Sequence, residues 1–177
     1  MSSHFLIGEA TSNDTRAIVA LVNSAYRGET SKLGWTTEAD LLDGIRTDEE
    51  SIEQLIRKPG GVILQCRNKE GQLVGCVNLQ KQNEQLYLGM LTVAPSLQNA
   101  GIGKRLLGAA ENYAREHGLG AIVMNVISIR YELISWYERH GYTKTGDIKP
   151  FPSADPRFGI PQQPLEFAVL KKVLPNT

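Results

Sequence analysis

Cysteine is scarce in this 177-residue chain: Cys66 and Cys76 are the only two, and neither has a His or Cys partner at zinc-ligand spacing. They lie on neighbouring candidate strands and read as buried free thiols, so no metal is expected. An excess of one charge is also missing. Lys plus Arg total 19 and Asp plus Glu total 19, which excludes the broad basic footprint of a nucleic-acid binder and leaves any positive site local. Long apolar runs are absent too. The start, MSSHFLIGEA, has no basic segment followed by an apolar run of signal-peptide length, and no later stretch would cross a bilayer. The expectation is a cytoplasmic protein with neither membrane nor nucleic acid as partner. Repeats and linkers are lacking as well, and a chain of this size buries roughly 70% of its unfolded surface, so residues 1–177 read as a single domain.

What is present is an alternation of apolar patterns. Phe5 to Glu9 reads as a strand, and Thr11-Ser12-Asn13-Asp14 offers N-caps for a helix whose stripe is Ala17, Ile18, Leu21, Val22, Ala25 and Tyr26, ending near Arg27-Gly28. Thr36 or Thr37 caps a short helix through Leu41 and Leu42 to Gly44, and a further helix runs from Asp48 to Arg57 until Lys58-Pro59-Gly60-Gly61 breaks it. Val62 to Arg67 and Leu73 to Leu79 flank Asn68-Lys69-Glu70-Gly71 as an antiparallel hairpin, with Leu86 to Val93 as a third strand. A glycine turn then leads to a helix carrying Leu106, Leu107, Ala110, Tyr113 and Ala114 on one face and capped at Gly118. Ala121 to Ile127 is a nearly continuous apolar strand, followed by a helix from Tyr131 to His140 stopped by Gly141. Tyr142 to Ile148 and Leu165 to Lys172 are the last strands. A segment holding Pro150, Pro152, Pro156, Pro161 and Pro164 joins them.

The turn Gln98-Asn99-Ala100-Gly101-Ile102-Gly103 sits between a strand and a helix. Glycines there let the backbone approach a ligand, and the unpaired N–H groups of a first helical turn, at the positive end of the helix dipole, suit a pyrophosphate. Lys104 and Arg105 add local charge. The dinucleotide-binding pattern would need a glycine where Lys104 stands, and the P-loop would need Ser or Thr where Arg105 stands, so neither nucleotide motif fits.

Gln98, Gly101 and Gly103 resemble the acetyl-coenzyme A turn of the Gcn5-related N-acetyltransferase family: Gln or Arg, two residues, Gly, one residue, then Gly or Ala. The order of elements and the segment Trp136-Tyr137-Glu138-Arg139-His140-Gly141-Tyr142 are similar to the family over nearly the whole chain. The resemblance implies the acyl-CoA N-acyltransferase fold. That is a three-layer α/β (α+β) arrangement with a mixed, mostly antiparallel sheet of about seven strands, helices on both faces, and a splayed parallel strand pair. It implies acetyl-CoA as co-substrate, held by Leu91, Thr92, Val93, the run Gln98, Asn99, Ala100, Gly101, Ile102, Gly103 and Lys104, and by Ser128 and Tyr137. The Leu91 N–H is the expected oxyanion donor, and Tyr137 the general acid for the leaving thiolate.

The family's glutamate on the strand before the turn is missing here, since no acidic residue lies between Leu86 and Val93. Tyr87 is the nearest polar alternative. Deprotonation is therefore expected through water ending at Glu38, Glu84 or Glu132, each of which also reads as a solvated surface charge. Arg130 stands where the family carries an asparagine, and offers a fork for an acceptor carboxylate or a pair for Glu132. By the resemblance, Tyr26, Trp35 and Phe151 wall an acceptor pocket, and Arg46, Arg130 and Arg157 hold an anionic end. Met90 and Met124 are candidates to line the space around a longer acyl group. The acceptor expected is the amine of a small molecule or amino acid. A protein lysine or N-terminus, or a non-catalytic acyl-CoA-binding module, are the alternatives. An exposed strand of the closing hairpin offers a surface for a homodimer.

Overall fold

The computed structural model describes residues 4–27, 31–32, 34–98, 100–152 and 159–175. Gly28, Asn99, Ser153, Pro156 and Arg157 lie outside the described residues. The apolar runs become β1 (Leu6–Glu9), β2 (Leu42–Asp43), β3 (Gly61–Arg67), β4 (Leu73–Gln82), β5 (Gln85–Val93), β6 (Ala121–Ile127), β7 (Thr143–Pro150), β8 (Ile160–Pro161) and β9 (Glu166–Val173). Seven of them form one sheet in the order β1-β3-β4-β5-β6-β9-β7. Every neighbouring pair is antiparallel except β5 and β6, which run parallel. This is the mixed, mostly antiparallel sheet that the sequence led us to expect.

The parallel pair is joined only at Gln85↔Ala121, Leu86↔Ile122 and Tyr87↔Val123. Beyond Tyr87 the two strands diverge, and the cause is visible on the other side of β5. Cys76 pairs with Thr92 and Asn78 with Gly89, so Val77 alone faces both Met90 and Leu91, a bulge on β5. Met90 takes φ 56°, a left-handed conformation that a side chain other than glycine adopts only under constraint. The extra residue reverses the alternation of faces: Leu86 and Leu88 pack in one core, Met90 in the other, and Leu91 and Val93 return to the first.

The helices cover both faces. On one lie α1 (Thr15–Tyr26) and α2 (Glu49–Arg57), which bury Ile18, Leu21, Val22 and Ile52 against Ile63, Cys76 and Met90. On the other lie α3 (Ile102–Glu116) and α4 (Tyr131–Arg139), which bury Ile102, Leu106, Ala110 and Ile134 against β3, β4, β5 and β6. Asp48 caps the start of α2 by accepting the Ser51 N–H at 2.8 Å. Before α1 the carboxylate of Asp14 accepts the Thr11 N–H at 2.8 Å, closing a capping box around the short 3-10 turn Ser12–Asp14 that leads into the helix. Gly118 and Gly141 follow α3 and α4 at φ 68° and 96°, as helix-stopping glycines do. Cys66 and Cys76 are buried free thiols on opposite faces of the sheet.

One expected helix does not form. Residues 38–41 are turns, and Leu42 and Asp43 pair with Pro161 and Ile160 instead. Their short apolar stretch gains more from tying down the proline-rich tail than from a helix of one or two turns, which is marginal by itself. Pairing of β2 with β8, reinforced by Gln162 N–H donating to Leu41 O at 2.9 Å, holds two segments beside the open end of the sheet.

Helix α3 sits close against the sheet because β4 carries a glycine beneath it. A Cβ on Gly75 would lie 2.9 Å from Ile102 Cγ2 and 3.0 Å from Leu106 Cδ1. Gly75→Ala is expected to lower stability by about 1–3 kcal/mol through overpacking, measured as a shift of the urea midpoint. An unchanged midpoint would mean that α3 has room to spare at this point.

Candidate active site

The sheet bonds of β5 alternate. Ala94 N–H donates to Val74 O at 2.9 Å, so Leu91 and Val93, out of phase with it, turn their backbone groups away from β4 and toward the gap left by β6. Side chains already use the two carbonyls: Tyr26 Oη donates to Leu91 O at 2.7 Å, and Gln98 Nε2 donates to Val93 O at 3.4 Å. The N–H groups on this edge remain oriented to the gap.

At the end of β5 the chain enters the glycine turn. Gly101 takes φ 80° as the N-cap of α3, which explains its identity by conformation. Gly103 is explained by space instead: a Cβ there would lie 3.1 Å from the Trp136 ring on α4. The first intrahelical bond to the turn is Arg105 N–H to Gly101 O at 3.1 Å. The N–H groups of Ile102, Gly103 and Lys104 precede it and lack intrahelical partners, at the positive end of the helix dipole. Lys104 reaches this space, whereas Arg105 turns to the Phe5 ring, 5.7 Å from its centroid.

Two cavities meet here. One, of ≈ 270 Å³, lies between the glycine turn, the edge of β5 and α4, with Trp35, Gln98, Gly103, Lys104, Trp136 and His140 in its wall. The other, of ≈ 320 Å³, lies in the fork between β5 and β6, with Glu38, Arg46, Tyr87, Met90, Met124 and Phe151 in its wall. Tyr26, Leu91, Arg130, Leu133 and Tyr137 line both, so these five residues mark the junction. The junction is thus reached from two sides, one along the glycine turn and one through the fork.

Tyr137 is buried to 5% exposure at the junction, packed edge-on against Trp136 and Tyr142. Its hydroxyl makes no hydrogen bond to any described residue. Burial, with the Tyr26 hydroxyl nearby, raises its pKa well above the usual phenol value, so it stays protonated at neutral pH. Burial likewise pushes Tyr26 up to about 12.

Glu38 is the residue least like its sequence reading. It is no surface charge: it is 6% exposed, accepting from Arg27 Nε at 3.0 Å on one oxygen and from Arg130 at 3.0 Å on the other. Arg130 also donates to Thr36 Oγ1 at 2.7 Å, and Thr36 in turn donates to Glu132 at 2.9 Å. Burial pulls the Arg27 guanidinium below its usual pKa, opposed by Glu38. Glu132 is half exposed, 4.0 Å from Arg130 Nε, so the expected Arg130 to Glu132 pair is present as the outer end of this chain of contacts. Glu84 is exposed at the closed end of the fork, beside Gln85, away from both cavities.

Other candidates divide. Tyr87 and Phe151 line the second cavity, where the Tyr87 ring lies against the bare face of Gly89 and Phe151 packs 5.3 Å from Phe167. Trp35 lies on the other side of the junction. Its N–H donates to Gln98 Oε1 at 2.9 Å and its ring stands 6.2 Å from Trp136, so it walls the glycine-turn cavity rather than the fork. Thr92 lines the first cavity with its hydroxyl on Met90 O at 2.9 Å. Ile102 is core, and Ala100 and Ser128 line neither cavity. The sequence reading missed His140 as a wall residue. Its position four residues after Trp136 places it on the same helix face, with ring centroids 4.3 Å apart. It also missed Arg27, whose partner is eleven residues away in a loop.

Comparison with known proteins gives the family and the fold. Residues 20–142 match the family model described as "Acetyltransferase (GNAT) family". N-acetyltransferase family 8 member 7 of Mus musculus is 24% identical over 119 residues, 64% of this chain and 52% of that protein. Streptothricin acetyltransferase of Streptomyces lavendulae is 32% identical over 79 residues, 44% and 42% of the two chains. The chain thus spans about half the length of these curated relatives. The ribosomal-protein-S18-alanine N-acetyltransferase of Escherichia coli superposes at TM-score 0.72 over 98% of this chain and 96% of its own, at 13% identity, which speaks for the fold alone.

Removing the charge of Glu38 leaves two buried guanidinium groups facing each other. Glu38→Gln is expected to cost about 3–5 kcal/mol, seen as a large drop in the urea midpoint. A loss below about 1 kcal/mol, the range of surface pairs, would show that water reaches all three groups.

Proposed function

The chain belongs to the acetyltransferase (GNAT) family, and on that premise we propose that it moves an acetyl group from acetyl-CoA to the primary amine of a small molecule by direct transfer. The observation that carries this reading is the junction itself, where a slot starting at an anion-binding helix meets a second pocket beside a buried, protonated Tyr137. The residues present fit the donor. The N–H groups of Ile102, Gly103 and Lys104 suit its pyrophosphate, and the backbone edge at Leu91 and Val93 suits a chain of amides, as a sheet edge accepts an added strand.

When bound, acetyl-CoA supplies a thioester whose carbonyl carbon accepts the amine. In this reading the Leu91 N–H stabilises negative charge on the carbonyl oxygen. Tyr137 donates its phenolic proton to the departing sulfur and recovers one from the amine side through solvent. The amine must arrive neutral. Both Glu38 oxygens are engaged by guanidinium groups, so we assign that carboxylate to holding Arg130 and place proton removal on water reaching Glu132. A small acceptor is favoured over a polypeptide because the fork cavity is ≈ 320 Å³, with the packed rings of Phe151 and Phe167 in its wall, near the lower end for small-molecule sites.

Tyr137→Phe is expected to lower kcat by about 10²–10⁴-fold, with coenzyme A affinity by calorimetry little changed; unchanged turnover at saturating substrates would remove Tyr137 from the reaction. The pH dependence has a definite sign. Because the Tyr137 pKa is raised by burial, the acid form persists across the neutral and mildly alkaline range, so rate should rise as the amine deprotonates and show no fall near pH 10. A descending limb centred near pH 10 that disappears in Tyr137→Phe would mean that the phenol ionises as if in water.

A further inference from the structure

Charge is unevenly paired in the fork cavity. Among the described residues three arginines line it, Arg27, Arg46 and Arg130, and one acid, Glu38. Arg27 and Arg130 share Glu38, and Arg130 has Glu132 as a distant second partner at 4.0 Å. No carboxylate among the described residues pairs with the Arg46 guanidinium, which instead rests over the face of Tyr26, 5.3 Å from the ring centroid. A guanidinium cannot shed its charge at neutral pH. At this half-buried position it has no carboxylate partner among the described residues.

Placement makes this a matter for the acceptor. Tyr26 separates Arg46 from the junction by the width of one ring, since the hydroxyl at the far end of that ring bonds Leu91 O at 2.7 Å. Arg130 lines the same cavity, and its buried Nε has no hydrogen-bond partner among the described residues. Opposite them the wall is apolar, formed by Leu88, Met124 and Phe167. Resting on the transfer reading above, we infer that the acceptor is an amino acid: an amine and a carboxylate a few bonds apart, the carboxylate held by Arg46 and the amine delivered to the junction beside Leu91 and Tyr137.

A cationic acceptor such as a linear diamine is disfavoured by the same arrangement. It would bring a second positive charge to a cavity already holding more guanidinium than carboxylate, in surroundings where charges are weakly screened. The apolar wall accommodates a hydrocarbon side chain. Arg46 also borders the neighbouring cavity lined by Ser51, Lys58 and Asn78, so a carboxylate on Arg46 meets no acidic group from that side among the described lining residues.

The test is calorimetric titration of the protein saturated with coenzyme A, using the common amino acids, their primary amides and linear diamines. At least one amino acid is expected to bind, with its amide at least about tenfold weaker, the difference a charge-assisted hydrogen bond makes. Arg46→Gln should shrink that acid-to-amide ratio about tenfold, and Arg46→Lys should restore part of it, with coenzyme A titration and circular dichroism confirming a folded protein. Amides or diamines binding as well as the acids, no acid binding at all, or Arg46→Gln weakening acid and amide alike would each overturn the inference. Amino-acid binding without thiol release in an acetyl-CoA assay would leave the inference standing and remove the transfer reading instead.

Discussion

Everything functional in this molecule depends on two strands parting. β5 and β6 share three register pairs and then separate, and the separation leaves a sheet with an internal edge. In most folds an unpaired edge is a liability that is covered or charged. Here it is lined by the ends of α1 and α4 and by the glycine turn, so that the backbone of Leu91 and Val93 faces a cavity rather than a partner strand. The bulge at Met90 is what makes this possible. By adding one residue to β5 it shifts the alternation, so the strand packs Leu88 and Leu91 on the same core while changing direction between them. A left-handed Met90 costs of order 1–3 kcal/mol, and the surrounding cores on both faces hold it in place.

A second constraint ties the loops to the opening. Glu38 joins Arg27, at the exit of α1, to Arg130, at the entrance of α4. Thr36 extends the contact to Glu132, and Trp35 extends it to Gln98 of the glycine turn. The segment between α1 and β2 therefore touches both walls of the site. A buried ion pair of this kind offers little net stability, because desolvation offsets most of the attraction. Its contribution is geometric: it orients the junction residues that line both cavities. The third arginine of the fork, Arg46, lies outside this network and has no carboxylate partner among the described residues.

The pieces of the site that were legible in the sequence are those encoded locally. Gly101 is required by one residue's φ, Gly103 by a helix neighbour, and Tyr137 by its place in a recognisable helix. The helices and strands around them follow apolar periodicity, and most boundaries agree within a residue or two. The loop before α2 was misjudged, since a helical capping pattern at Thr36 and Thr37 competes with pairing to β8, more than a hundred residues later, and no local signal reports that partner. Glu38 was misjudged for the same reason. Its charge looks solvated until the chain brings Arg130 to it across 92 positions.

Sequence alone thus determined the family resemblance, the order of the elements, the glycine turn at the start of α3 and the place of Tyr137 on α4, because each depends on residues adjacent in the chain or on one helix face. Tertiary structure decided which side of the junction Trp35 occupies, that Glu38 is an ion-pair centre, and that Arg46 has no carboxylate partner among the described residues. The physical reason is that these properties are set by burial and by partners distant in sequence. A residue's charge has no defined role until folding determines whether water or another side chain surrounds it.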